Sequence, residues 1–231
     1  MLVIVTAVLC VYTQICTGQP ANPGDSAPVE TNVSGQAMDA QLFHILPDRS
    51  LLRVFIGRGG LLARLGHNHV VVSRTITGSV FIADAPTRSH ASMIIPVKEL
   101  VVDDPVERAR AGAEYKSTPS ESDKAATRTN MLKVDVLNGE QYPEIHIDIN
   151  AIDLNTNPGR FSVVITFKGR QIPLQLPANL SVDGNNLVVD SSFNLDHKDL
   201  GLRPFSAVGG ALRVAETLGF ELHIEADAGT R

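Results

Sequence analysis

The chain has 231 residues, 43% hydrophobic and 19% charged, the composition of a folded globular protein without low-complexity bias. Its 20 basic and 25 acidic residues leave a net charge of −5, which disfavours a nucleic-acid partner, because phosphate binding needs a basic field. The same balance disfavours simple adsorption to an anionic membrane and leaves room only for a local basic patch.

In chain order, the first charged residue is Asp25. Ahead of it, Leu2 to Tyr12 is apolar apart from Thr6. This stretch is shorter than the about 20 residues that cross a bilayer. It fits the apolar core of a signal peptide, with Cys16-Thr17-Gly18 as a small-residue cleavage site, although no Lys or Arg precedes it. Residues 1–18 are therefore read as a signal peptide, the alternative being an uncleaved anchor, and a secreted or periplasmic location is expected. Both cysteines, Cys10 and Cys16, fall here, so the mature chain has no disulfide and no thiolate chemistry. Leu9 and Ile15 are bulky neighbours for a lipoprotein acylation cysteine. Residues 19–38, beginning Gln19-Pro20-Ala21-Asn22-Pro23-Gly24, read as a linker with too little apolar surface to offset its ordering entropy. The folded domain is placed at 39–227, with 228–231 as a tail.

Inside the domain the hydrophobic period is two. Glu144 to Ala151 sets Ile145, Ile147 and Ile149 on one face. Phe161 to Lys168 does the same with Phe161, Val163, Ile165 and Phe167, and Phe220 to Glu225 with Phe220 and Leu222. Strand side chains alternate faces, so these are strands with one dry and one wet face. Further strands are expected at Gln41–Leu46, Ser50–Ile56, Val70–Arg74, Thr75–Ala83, Ser92–Leu100, Gln171–Leu180 and Leu187–Leu195. Their inward candidates include Phe43, Val54, Ile56, Val80, Ile82, Ile95 and Leu174. Clean alternation favours antiparallel pairing. Short turns at Asn157-Pro158-Gly159, Lys168-Gly169 and Asp183-Gly184-Asn185 agree.

Only the middle reads as helical. Pro105 to Tyr115 is charged and Ala-rich. Ser120 with Asp123 resembles a capping box, and Gly139 is expected to stop the helix it starts. The order is then about five strands, a helical insertion and about five more strands. A sheet this long curls or closes, and the fold class is all-β: an antiparallel, lipocalin-like barrel of about eight strands with a helical insertion between its halves. A sandwich is the competing solution. The interior is either solid or hollow, since barrels of eight strands stand at that border.

Candidate chemistry is sparse. His67-Asn68-His69 places two imidazoles on one face of a strand, a geometry that could share a metal if His44, His90, His146 or His197 supplied a third ligand from afar. A metal-binding protein or metal-dependent hydrolase using His67 and His69 is the alternative function. Gly57-Arg58-Gly59-Gly60 lacks the context of a dinucleotide fingerprint and reads as a hairpin or bulge. Asp103-Asp104 is expected to serve turn chemistry only. His146 and His223 fall on polar strand faces and are expected to be solvated.

Four stretches in this order resemble the YceI family of exported, lipocalin-like proteins. They are Asp48 to Val54; Leu65 to Val70 with Thr77 to Val80; Arg128 to Leu132 with Tyr142 to Ile145; and Asp199 to Leu202 with Leu218 to Glu225. Thr129 and Met131 stand where the family's helix often has Asp and His, and Leu200 stands where an aromatic is common. The resemblance implies a barrel around an apolar tunnel that binds a polyisoprenoid or isoprenoid-quinone chain, without catalysis, cofactor or bound metal. The expected partner is then a lipid-like small molecule. The inward residues above would line the tunnel, with His67 and His69 as candidates for its polar end. The chain is not expected to be an integral membrane protein. Its oligomeric state is open, a homodimer included.

Overall fold

The structure is a computed structural model that describes residues 40–154 and 156–229. The segment read as a signal peptide, with both cysteines, the segment read as a linker, Asp39 and the last two residues of the chain lie outside the described residues. Among the described residues the chain forms β1 (Gln41–Ile45), β2 (Leu51–Gly59), β3 (His69–Ser73), β4 (Thr77–Ile82), β5 (His90–Pro96), β6 (Val101–Val102), α1 (Pro105–Arg110), α2 (Glu121–Leu132), β7 (Glu144–Asp153), β8 (Gly159–Phe167), β9 (Arg170–Asp183), β10 (Asn186–Asp196), β11 (Ser206–Ala207) and β12 (Leu212–Asp227).

All the strand pairings are antiparallel. The order β1-β4-β5-β7-β8-β9-β10-β12 closes on itself where β12 pairs β1 through His44↔Asp227 and Ile45↔Ala226. This ring is the expected closed barrel of eight strands. β2, β3 and β6 prolong its first three staves past interruptions. β1 passes through a turn at Pro47–Arg49 into β2, β3 turns at 74–76 into β4, and β5 passes through Val97–Glu99 into β6. Each half pairs with the matching half of its neighbour. The strand expected over Ser92–Leu100 is therefore only the end of β5 followed by the turn at Val97–Glu99, and β6 begins beyond it. Pro96 ends β5, because it has no N–H to continue a ladder.

The ring opens between β9 and β10. β9 pairs β8 along Arg170 to Ala178, but pairs β10 only along Asn179 to Asp183. Beyond Asp190, β10 stays with β12 alone, so β9 and β10 part like the arms of a fork. Two prolines explain the split. Backbone polar groups of alternate residues in a strand face the same edge, so Pro173 and Pro177 face one edge together. The Pro177 carbonyl accepts a hydrogen bond from Ser191 Oγ at 2.6 Å, which identifies that edge as the one towards β10. Neither proline has an N–H to offer there.

The solid part of the core lies at the closure seam, where Phe43, Leu187 and Ile224 are at most 2% exposed. The helical insertion connects β6 to β7. Asp104 caps α1 by accepting from the N–H groups of Val106 and Glu107, both at 3.0 Å. The capping box of α2 forms as expected, with Ser120 and Asp123 each accepting from the other's N–H. α2 stops at Leu132, well before Gly139, whose N–H returns to the Leu132 carbonyl at 3.1 Å. No described helix is long and apolar enough to cross a membrane.

Candidate functional site: an apolar cavity in the barrel

The inward faces of the strands do not fill the ring. They enclose a cavity of about 300 Å³. Val54 and Ile56 reach it from β2, Val80 and Ile82 from β4, and Ile95 from β5. β7 contributes Ile145, Ile147 and Ile149; β8 contributes Phe161, Val163, Ile165 and Phe167; β12 contributes Phe220 and Leu222. The period-two pattern thus places these side chains around one space. Phe43 and Leu174 do not reach its wall. Phe43 is consumed by packing at the closure seam, and Leu174, opposite Val163 of β8, stays outside the lining although Leu176 on the same arm joins it.

The cavity runs the length of the barrel. Leu154 and His90 line it at one end, Leu200 and Leu202 at the other. Met131, Val136 and Leu137 border it from the helical insertion. Strand periodicity gives no sign of these, because they sit on a helix and in turns. Phe193 and Phe220 pair across β10 and β12 and stack on the wall, with ring centroids 5.1 Å apart.

Four polar residues interrupt the lining: Ser89, His90, Ser191 and His197. Ser89 Oγ accepts from the Ala83 N–H at 3.0 Å, and Ser191 is engaged by Pro177. His90 is exposed. His197 is buried, at 8% exposure. Its backbone N–H and its Nδ1 both donate to the Glu216 carbonyl, at 3.0 and 2.8 Å. That assignment leaves Nε2 as the ring nitrogen without a hydrogen bond among the described residues. Strand alternation gives no sign of this role for His197, which stands at the turn after β10, where the pattern no longer reports a face.

His67 and His69 do not belong to the cavity wall. Their rings lie 6.4 Å apart, but each has another partner. His67 Nδ1 is 3.3 Å from Ser117 Oγ, and His69 Nδ1 is 2.6 Å from Asp103 Oδ2. Among the described residues, no group of three His, Cys, Asp or Glu is placed to hold a metal ion. Asp103 departs from the expected turn role. It is 1% exposed, and its Oδ1 accepts from the Val70 N–H at 3.0 Å and from Arg108 Nη1 at 2.6 Å. Burial pushes its carboxyl upward, but the hydrogen bonds from His69 and Val70 and the charges of His69 and Arg108 outweigh burial and hold it below the usual carboxylate range. The network pins α1 against β3.

His146 and His223 are not simply solvated. His146 meets Glu144 at 3.1 Å, and His223 Nδ1 meets Asp190 at 2.7 Å. The Asp190 hydrogen bond raises the His223 pKa against the opposing effect of burial, and Glu225 adds to the rise.

No curated protein matches the chain. Among solved structures, BcnA of Burkholderia cenocepacia superposes with a TM-score of 0.53 at 11% identity, covering 78% of this chain and 98% of that one. A polyisoprenoid binding domain from Saccharophagus degradans, implicated in plant cell wall breakdown, superposes with a TM-score of 0.52 at 10% identity, covering 81% and 98%. At these identities the likeness is one of fold. The YceI-like domain profile matches residues 60–226, from just past β2 to the end of the barrel's last strand, and this chain belongs to the YceI-like domain family.

Proposed function

We propose that this protein binds a long apolar molecule, of the polyisoprenoid or isoprenoid-quinone class, inside the barrel, and that it carries or sequesters this molecule outside the cytoplasm without reacting with it. The observation that carries the reading is the apolar cavity running from Leu154 to Leu200. An apolar cavity of about 150 Å³ takes up one benzene, so 300 Å³ gives room for on the order of twelve chain carbons. Burying roughly twelve methylenes at ~0.8 kcal/mol each is a gross ~10 kcal/mol. Chain ordering and lost translational freedom remove part of it, and the remainder drives binding with few polar contacts. His197 Nε2 is the group that would meet a polar head. The solved polyisoprenoid binding domain of the same fold supports the choice of ligand class.

Native mass spectrometry of the purified protein, followed by lipid extraction, tests the reading. A bound isoprenoid, or uptake of an added one at one per chain, is the expected result. Protein that is repeatedly ligand-free and takes up no isoprenoid would overturn it.

A further inference from the structure

Two loops meet at the end of the barrel where β2 stops and β12 starts. Residues 60–68 follow β2, and residues 197–211 lead into β12. They are tied together by the Leu62 N–H on the Ala211 carbonyl at 2.8 Å, and the Val214 N–H returns to the Phe205 carbonyl at 2.9 Å. Their tips are apolar and bare: Leu61 is 93% exposed, Leu65 74% and Phe205 47%. Large apolar side chains grouped on one surface mark an interaction site more often than chance exposure.

The charges at the loop tips are mainly positive, with Asp199 and Glu216 at the ends of one loop and Glu114 beside Asn68 of the other. Arg58, Arg64, Arg203 and Arg213 are all exposed. No Asp or Glu occurs between Arg49 and Ala83, or between Leu200 and Ala215. Arg213 meets Glu216 at 4.0 Å. Arg64 and Arg203 meet no carboxylate among the described residues. The net charge of −5 therefore resides elsewhere, and this rim is the local basic patch that composition leaves open.

We propose that this rim docks the barrel on the surface of an anionic lipid bilayer, with Leu61, Leu65 and Phe205 entering the boundary between headgroups and acyl chains. Apolar tips flanked by arginines are the combination that interfacial anchors use: the tips leave water and the guanidinium groups reach lipid phosphates. A second copy of this chain fits less well, because a twofold contact through the rim would set arginines against arginines. The position is also apt. Leu200 and Leu202, on the same loop as Phe205, line the cavity, and the arms of β9 and β10 part towards this end. Docking is independent of the ligand reading and is measured without any ligand.

The chain has no Trp, so a Leu61→Trp substitution reports from one place. Vesicles of phosphatidylcholine alone and vesicles containing phosphatidylglycerol are the probes. The protein is expected to co-sediment with the anionic vesicles, and less so at about 1 M salt, where the Debye length is about 3 Å. L61W emission should shift to the blue on those vesicles, and D183W, at the turn at the other end of the barrel, should not shift. R64Q/R203Q should lower partitioning about tenfold or more, and L61S/L65S should remove the blue-shifted contact, read from a Trp at Phe205. Absence of partitioning onto anionic vesicles, or an equal shift at D183W, would overturn the proposal. So would a wild-type dimer that L61S/L65S converts to monomer, because a second copy would then cover the rim.

Discussion

His197 Nδ1 lies 2.8 Å from the Glu216 carbonyl oxygen, at the place where β12 slips register against β2 between Val214 and Leu218. The bond holds a buried imidazole in the wall of an otherwise apolar cavity. It fixes Nδ1 as the donor and leaves Nε2 without a hydrogen bond among the described residues, free to meet the head of the proposed ligand. Replacing His197 by Leu roughly keeps the volume and removes the acceptor. Affinity for an isoprenoid with a hydroxyl head should fall about tenfold, the worth of a net hydrogen bond of ~1 kcal/mol or somewhat more. Affinity for a hydrocarbon of equal length should hold. Competition against a fluorescent lipid measures both, and equal losses for the two ligands would show that His197 acts only through packing.

Ile147 sits on the middle stave β7, paired with Met93 on one side and Ile165 on the other, and its side chain faces the cavity. Ile147→Trp should project an indole into the open volume and displace ligand. Lipid occupancy by native mass spectrometry should fall, while the far-ultraviolet circular dichroism stays that of the wild type. Unchanged occupancy would place the ligand away from β7.

Asp103 is buried between His69 and Arg108. Removing its charge strands the Arg108 guanidinium, so Asp103→Asn should destabilise the fold by ~3 kcal/mol, the usual cost of breaking a buried pair. The pH dependence has a definite sign. The folded carboxyl is held below its ordinary value of 3.8, so its contribution is complete above that value and is lost as pH falls through the lower, folded pKa. Urea titrations from neutral pH down to about pH 3 should show the difference between wild type and D103N shrinking towards acid, as the wild-type carboxyl takes up its proton.

His223 works in the opposite direction. Its hydrogen bond to Asp190 raises its pKa above the ordinary 6.5. Its contribution is therefore present below that value and is lost as pH rises through the folded pKa. The pair is exposed at 40% and 59%, so the effect is small and screened by salt. Asp190→Asn should return the imidazole titration towards its ordinary position, which the ring proton shifts in NMR report directly. An unmoved titration would assign the shift to Glu225.

Much of this architecture is legible in the sequence, for a physical reason. Ile145, Ile147 and Ile149 alternate with polar residues because a strand with one wet face must do so, and the same alternation predicts the ring. What it does not predict depends on contacts distant in the chain. Phe43 has the same pattern as Ile147 yet packs into the seam, because only barrel closure decides which inward residues meet solid core. Asp103 reads as a turn residue because His69, one of its partners, lies 34 positions away. The run without acidic residues around Arg58 and Arg64 is visible in the sequence, but its adjacency to Arg203 and Arg213 exists only once β12 pairs β2.

The fork offers the last prediction. Pro173 and Pro177 both lack the N–H that β10 would need from that edge of β9, and Ser191 Oγ on the Pro177 carbonyl bridges the gap with a side chain instead. Pro173→Val with Pro177→Val restores two donors and two β-branched side chains suited to a strand. β9 and β10 should then pair further towards the rim. Amide exchange along Ser191 to Leu195 should slow, because alternate groups there gain a strand partner. If ligand passes between the arms, its exchange rate should fall in the same variant while its equilibrium affinity changes little, because the cavity lining is untouched apart from Pro177. Stopped-flow displacement of a fluorescent isoprenoid gives the rate. Slower amide exchange with an unchanged ligand rate would mean that the chain passes through an end of the barrel instead.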